Sequence, residues 1–130
     1  MLNKDDNAEI GITYDFNDGN GPVSARCHPN GGGWVALTAT VEDSAYVGPE
    51  AKVYGNAEVS GEAEVSGNAK VYGKAKVFGN ARVSDDSKVY GNAEVYGDAW
   101  VCGKARVFGN VWVFGNARVS SHAKEEHNAN

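Results

Sequence analysis

Valine recurs on every sixth residue from Val35 to Val119, fifteen times without an insertion or a deletion. Four residues after each valine stands a small residue. It is Ala at thirteen of the fifteen registers, and Ser87 and Val111 are the exceptions. Between them lies a turn, usually Gly followed by a polar residue, as in Gly55-Asn56, Gly61-Glu62 and Gly97-Asp98. A six-residue period scatters side chains around a helix instead of gathering them on one face. Along a strand, alternation turns each valine inward and its two neighbours outward, and the branched side chain suits a pleated, buried surface. The unit is therefore a short strand, a corner and another short strand. One hexad cannot bury its valine alone, whereas stacked hexads can, which is the logic of a β-solenoid.

The outward positions set the length of one coil. Taken at spacing eighteen, the residues after the valines sort into distinct rows. Tyr54, Tyr72, Tyr90 and Phe108 make the first, Ser60, Phe78, Tyr96 and Phe114 the second, and Gly48, Ser66, Ser84, Cys102 and Ser120 the third. At spacing twelve the rows are chemically mixed. On the first face the residues before the valines agree with this choice, being Lys52, Lys70, Lys88 and Arg106. Three faces per coil predict five coils, a stack about 24 Å tall at one strand spacing per coil.

With that aliphatic residue and the small residue four positions on, residues 34–124 resemble the hexapeptide-repeat family, the left-handed parallel β-helix proteins. The lead-in 28–57, "HPNGGGWVALTATVEDSAYVGPEAKVYGNA", is similar to the start of small bacterial and phage hexapeptide proteins labelled as transferases. The resemblance implies an all-β, left-handed parallel β-helix of triangular coils, and commonly a homotrimer. Its known members include acyltransferases and γ-class carbonic anhydrases, so the fold leaves the function open.

The enzymatic expectations find little support in the residues. The acyltransferases of the family use a histidine base and often a loop thrown out from a coil. Here no histidine and no insertion lies between Val35 and Val119; the histidines are His28, His122 and His127. A base needs a positioned partner and a pocket, and a zinc site needs a closed ligand set with its outer support. No catalytic residue, metal or cofactor is therefore expected. Cys102 reads as a small residue facing out among serines, with no histidine to activate it. "NGGGW" (30–34) lacks the Lys-Ser/Thr of a phosphate loop and reads as a flexible approach to the first coil. Asp85-Asp86 replaces Gly-x at one corner and reads as a solvated turn more than a calcium site.

Net charge narrows the partners. Twelve Lys and Arg against seventeen Asp and Glu leave −5, with no overall basic field for double-stranded nucleic acid or an anionic membrane. The N-terminus "MLNKDDNAEIG" has no apolar core of a secretory signal, and no run reaches transmembrane length. Cys27 and Cys102 then read as free thiols in the cytoplasm.

The first face is the exception to the acidic balance. Its four cations, one strand spacing apart, repel one another by roughly 0.9 kcal/mol per neighbouring pair in water. Beside them runs a ladder of four aromatics, a patch of the size a monomer normally hides. Phe78, Tyr96 and Phe114, beside Glu58 and Glu94, offer an acidic-aromatic counterpart on the second face. Face one against face two repeats around a threefold axis, so a homotrimer is expected. The sharper expectation is a non-catalytic binding module. It would hold a protein partner or a nucleotide-like anion in clefts between subunits, through Lys52, Tyr54, Lys70, Tyr72, Lys88, Tyr90, Arg106 and Phe108 with Phe78, Tyr96 and Phe114, and in a phage setting it would inhibit a host defence system. A structural trimer or spacer and an acyl-CoA-dependent acyltransferase are the alternatives. The third face, with Glu64, Arg82 and Arg118 beside its serines, is expected in solvent. Trp100 and Trp112 fit neither pattern.

An open coil exposes unpaired strand edges, so both ends need covering. Residues 1–33 break the repeat and read as a capping segment, with one strand in "EIGITYDF" (9–16). Residues 34–124 are the solenoid. Residues 125–130 are a charged tail, beginning with Glu125 where the next valine would fall.

Overall fold

The structure, a computed structural model, describes residues 12–120. Each hexad does what its composition dictates. The valine and the residue before it form a strand, and the corner closes with a left-handed residue such as Gly55, at φ 66°. Asp85 holds the same conformation at φ 62° in a glycine position. Its Oδ2 accepts a hydrogen bond of 2.9 Å from the Gly103 amide of the next coil, which offsets part of the cost of that backbone.

The first two strands form a hairpin, β1 (Thr13–Asp15) and β2 (Pro22–Cys27). The first coil follows as β3 (Trp34–Ala36), β4 (Thr40–Val41) and β5 (Tyr46–Val47). Below β3 stack β6 (Lys52–Val53), β9 (Lys70–Val71), β12 (Lys88–Val89) and β15 (Arg106–Val107). Below β4 stack β7 (Glu58–Val59), β10 (Lys76–Val77), β13 (Glu94–Val95) and β16 (Trp112–Val113). Below β5 stack β8 (Glu64–Val65), β11 (Arg82–Val83), β14 (Trp100–Val101) and β17 (Arg118–Val119). All pairings between coils are parallel, and Val53 stands opposite Val71, the eighteen-residue register read from the outward rows. The described chain is thus an all-β parallel solenoid of five coils, each contributing one strand to each of three sheets.

Corners as well as strands tie the coils together. The Tyr54 amide donates to the Val71 carbonyl at 3.0 Å, and the Asn56 amide to the Gly73 carbonyl at 2.8 Å. Inside, valines from the faces and alanines from the corners form one continuous core, nearly all of it without solvent exposure. The two exceptions to the alanine rule are accommodated there. Val111 is buried, and the buried Ser87 hydroxyl donates to the Ser84 carbonyl at 2.6 Å.

The N-terminal segment covers two of the three upper edges. β2 pairs antiparallel with β3, with Arg26 opposite Val35, so the first sheet grows to seven strands. The Arg26 Nε is buried with no hydrogen-bond partner among the described residues. "NGGG" is no flexible approach. The Gly33 amide donates to the Val47 carbonyl, and the Val47 amide to the Asn30 carbonyl, each at 3.0 Å. A side chain on Gly31 or Gly33 would overlap the backbone of Val47 or Gly48. His28 completes this cap. It is buried, and its Nε2 lies 2.8 Å from the Ala45 carbonyl. Residues 1–11 and 121–130, which include His122, Glu125 and His127, lie outside the described part.

Candidate functional site

Lys52, Lys70, Lys88 and Arg106 are direct partners down the first sheet. The aromatic row beside them is a stack. Ring centroids lie 4.9 Å apart for Tyr54–Tyr72, 4.8 Å for Tyr72–Tyr90 and 5.1 Å for Tyr90–Phe108, with planes within 5° of parallel. In-register parallel strands impose this geometry, because equivalent side chains repeat at one strand spacing. Each ring hides the face of the next, so Tyr72, Tyr90 and Phe108 are half-buried and present edges to solvent. The ladder leaves less apolar surface bare than four separate rings would. Among the described residues the exposed large hydrophobic is Trp112, at 43%.

The hairpin takes over the upper end of the ladder. The small Ala25 and Ala36 leave room for Phe16 to reach Tyr54, where the rings stack at 4.7 Å, and Tyr54 is only 5% exposed. Tyr14 stacks on Trp34 at 4.6 Å, and the Lys52 ammonium stands 5.9 Å from the Tyr14 ring centre. Tyr54 and Lys52 are therefore engaged within the chain. What remains open is Lys70, Lys88 and Arg106 with Tyr72, Tyr90 and Phe108. Tyr14 and Phe16 are the contributors that strand alternation in 9–16 does not assign, since their partners lie some twenty to forty residues away.

Electrostatics sharpen the site. Burial, then the charges of Lys88 and Lys52, lower the pKa of Lys70 from its ordinary value. Burial, then Tyr90, raises that of Tyr72, against the opposite pull of Arg106. Burial, then Tyr72 and Asp18, hold the Tyr54 hydroxyl well above the usual tyrosine range. At Lys70 the neighbouring cations thus oppose the charged form, on a chain whose balance is acidic.

The second face also carries a stack, Phe78–Tyr96 at 4.9 Å and Tyr96–Phe114 at 5.4 Å. Its charges are less uniform than Glu58 and Glu94 alone suggest, because Lys76 stands between them and Trp112 follows Glu94. On the third face the structure corrects two readings. Cys102 is buried, 4% exposed, and is not open to solvent in the way its place in the serine row predicts. Trp100 has a defined place: its Nε1 donates to the Ser84 hydroxyl at 2.9 Å, and the Arg118 and Arg82 guanidinium carbons stand 4.5 and 5.9 Å from its ring centre.

Chemistry elsewhere is committed to structure. His28, the one histidine among the described residues, is bonded inside the cap. His28→Ala should leave the Ala45 carbonyl buried and unpaired, a loss of about 1–3 kcal/mol. Urea denaturation would read it, and an unchanged midpoint would show that the cap does not depend on this bond. The Asp86 carboxylate accepts from the Asn68 side-chain Nδ2 at 3.3 Å, and no group of metal-ligating side chains occurs among the described residues. Both cysteines are free thiols.

A family model described as the YdcK Beta solenoid repeat matches residues 87–103. That stretch holds β12, β13 and β14, one full turn of the stack, so match and structure agree on a β-helix repeat protein. No curated protein and no solved structure matches the chain. No helix of the described residues is long and apolar enough to cross a membrane.

Proposed function

We propose that this chain is a non-catalytic binding module that uses the open part of its first face to hold an anionic partner. One observation carries the reading. Lys70, Lys88 and Arg106 are held in register one strand apart, on a chain of net charge −5, with Asp86 the one carboxylate in the corner row before them and none in the aromatic row after them. A solenoid tied at every corner keeps such a row fixed without a partner, so little ordering cost falls on binding. The test is retention on a carboxylated cation exchanger at pH 7, where a protein of pI about 5.1 should pass through. Retention at low salt, abolished in Lys88→Glu, is expected. Passage of the unaltered protein would remove the reading.

A second reading is favoured by the exposed Trp112 and the stacked Phe78, Tyr96 and Phe114. Here the second face of a neighbouring copy covers the first, as a homotrimer requires. Sedimentation of the double variant Tyr72→Glu, Tyr90→Glu separates the two. A free binding face predicts an unchanged sedimentation coefficient. Dissociation to a slower species assigns the ladder to a subunit contact. The acyltransferase alternative calls for a histidine base, and among the described residues the histidine, His28, is bonded within the cap.

A further inference from the structure

We infer that the open first face recognises a linear polyuronate, a chain of sugar rings each carrying one carboxylate, laid along the solenoid axis. The inference rests on the reading of that face as a free anion-binding surface, and it names the ligand class.

Three parallel rows meet there. Lys70, Lys88 and Arg106 supply the charge, and Tyr72 and Tyr90 carry hydroxyls at the exposed edges of the stack. Two residues beyond Tyr90 and Phe108, Asn92 and Asn110 stand exposed at the corner. Cations answer carboxylates, and phenol and amide groups both donate and accept, as sugar hydroxyls require.

Ring stacking argues against a nucleic acid. Sequence-tolerant binding of single strands relies on bases lying against aromatic faces. Here the faces of Tyr72 and Tyr90 are already occupied by each other at 4.8 Å and 2°. Spacing argues against an acidic peptide. On an extended strand, carboxylates of one face recur about every 6.6 Å, two residues at about 3.3 Å each, so the mismatch with the ladder grows at every rung. A pyranose chain advances by close to one strand spacing per ring, so each ring meets its own cation. The long lysine stems reach a carboxylate on either edge of the sugar chain. Such a ligand also relieves the mutual repulsion of Lys52, Lys70 and Lys88 noted above.

The experiment is calorimetric titration of the full chain with oligomers of galacturonate and of mannuronate. The controls are the same oligomers fully methyl-esterified, poly-glutamate and oligo-thymidylate of equal charge. Binding of a uronate oligomer is expected, with affinity lower by roughly tenfold or more for each control and for Lys88→Glu and Lys88→Gln, the worth of one charge-assisted hydrogen bond. Both variants should melt with the unaltered protein. Equal binding of all the polyanions would overturn the sugar-chain inference and leave an anion-binding face standing. Equal binding of the methyl esters would overturn the role of charge. Failure of every polyanion to bind would overturn both readings.

Discussion

Val77→Asp is expected to unfold the protein. Val77 is fully buried in the middle coil, between Val59 above and Val95 below. The substitution forfeits about 1.5–3 kcal/mol of aliphatic burial. It also places a carboxylate in a core of valine and alanine with no partner, at a further cost of several kcal/mol. Together these approach the roughly 5–15 kcal/mol that holds a domain. Position in the stack matters as well, because a solenoid is held by interfaces between neighbours. Val119→Asp, at the last described strand and already partly exposed, should fray one coil and leave the rest folded. Circular dichroism with thermal melting would show it: no cooperative transition for Val77→Asp, and a modestly lowered one for Val119→Asp. A soluble Val77→Asp protein with an unchanged melt would refute the inward assignment of the valines.

Gly31→Ala should detach the cap from the third sheet. Gly31 sits at φ 115°, and a methyl group there would overlap the Val47 carbonyl. Backbone strain of about 1–3 kcal/mol adds to two lost hydrogen bonds at about 0.5–1.5 kcal/mol each, roughly 2–6 kcal/mol in all. The neighbouring Gly32 is a built-in control: it too has positive φ, at +86°, but open space where a side chain would go. Gly32→Ala should therefore cost only the strain. Hydrogen exchange locates the damage, since the Val47 amide bonds to the Asn30 carbonyl across the cap. Fast exchange at Val47 with retained protection at Val71 and Val95 is the expected pattern. Full protection at Val47 in Gly31→Ala would mean that the loop tolerates a side chain, and that its glycines serve something other than close packing.

What could be read along the chain was whatever repeats. Val53, Val71 and Val89 are inward, and eighteen residues make a coil, because a valine-bearing hexad has one way to hide its side chain and each coil meets only its neighbours. The same periodicity placed Lys70 beside Lys88 and Tyr72 beside Tyr90. Lys76 between Glu58 and Glu94 was equally legible. Tertiary structure alone decided where the repeat meets something non-periodic. Phe16 buries Tyr54, Tyr14 engages Lys52, and the two remove one rung from the candidate site. Asn30 to Gly33 packs as a tight edge cover, His28 is spent on the Ala45 carbonyl, Trp100 lies among guanidinium groups, and Cys102 is buried. Alternation states which side of a strand a residue occupies. How much of that side stays open depends on side chains arriving from distant segments, and on rings that stack once strands are in register.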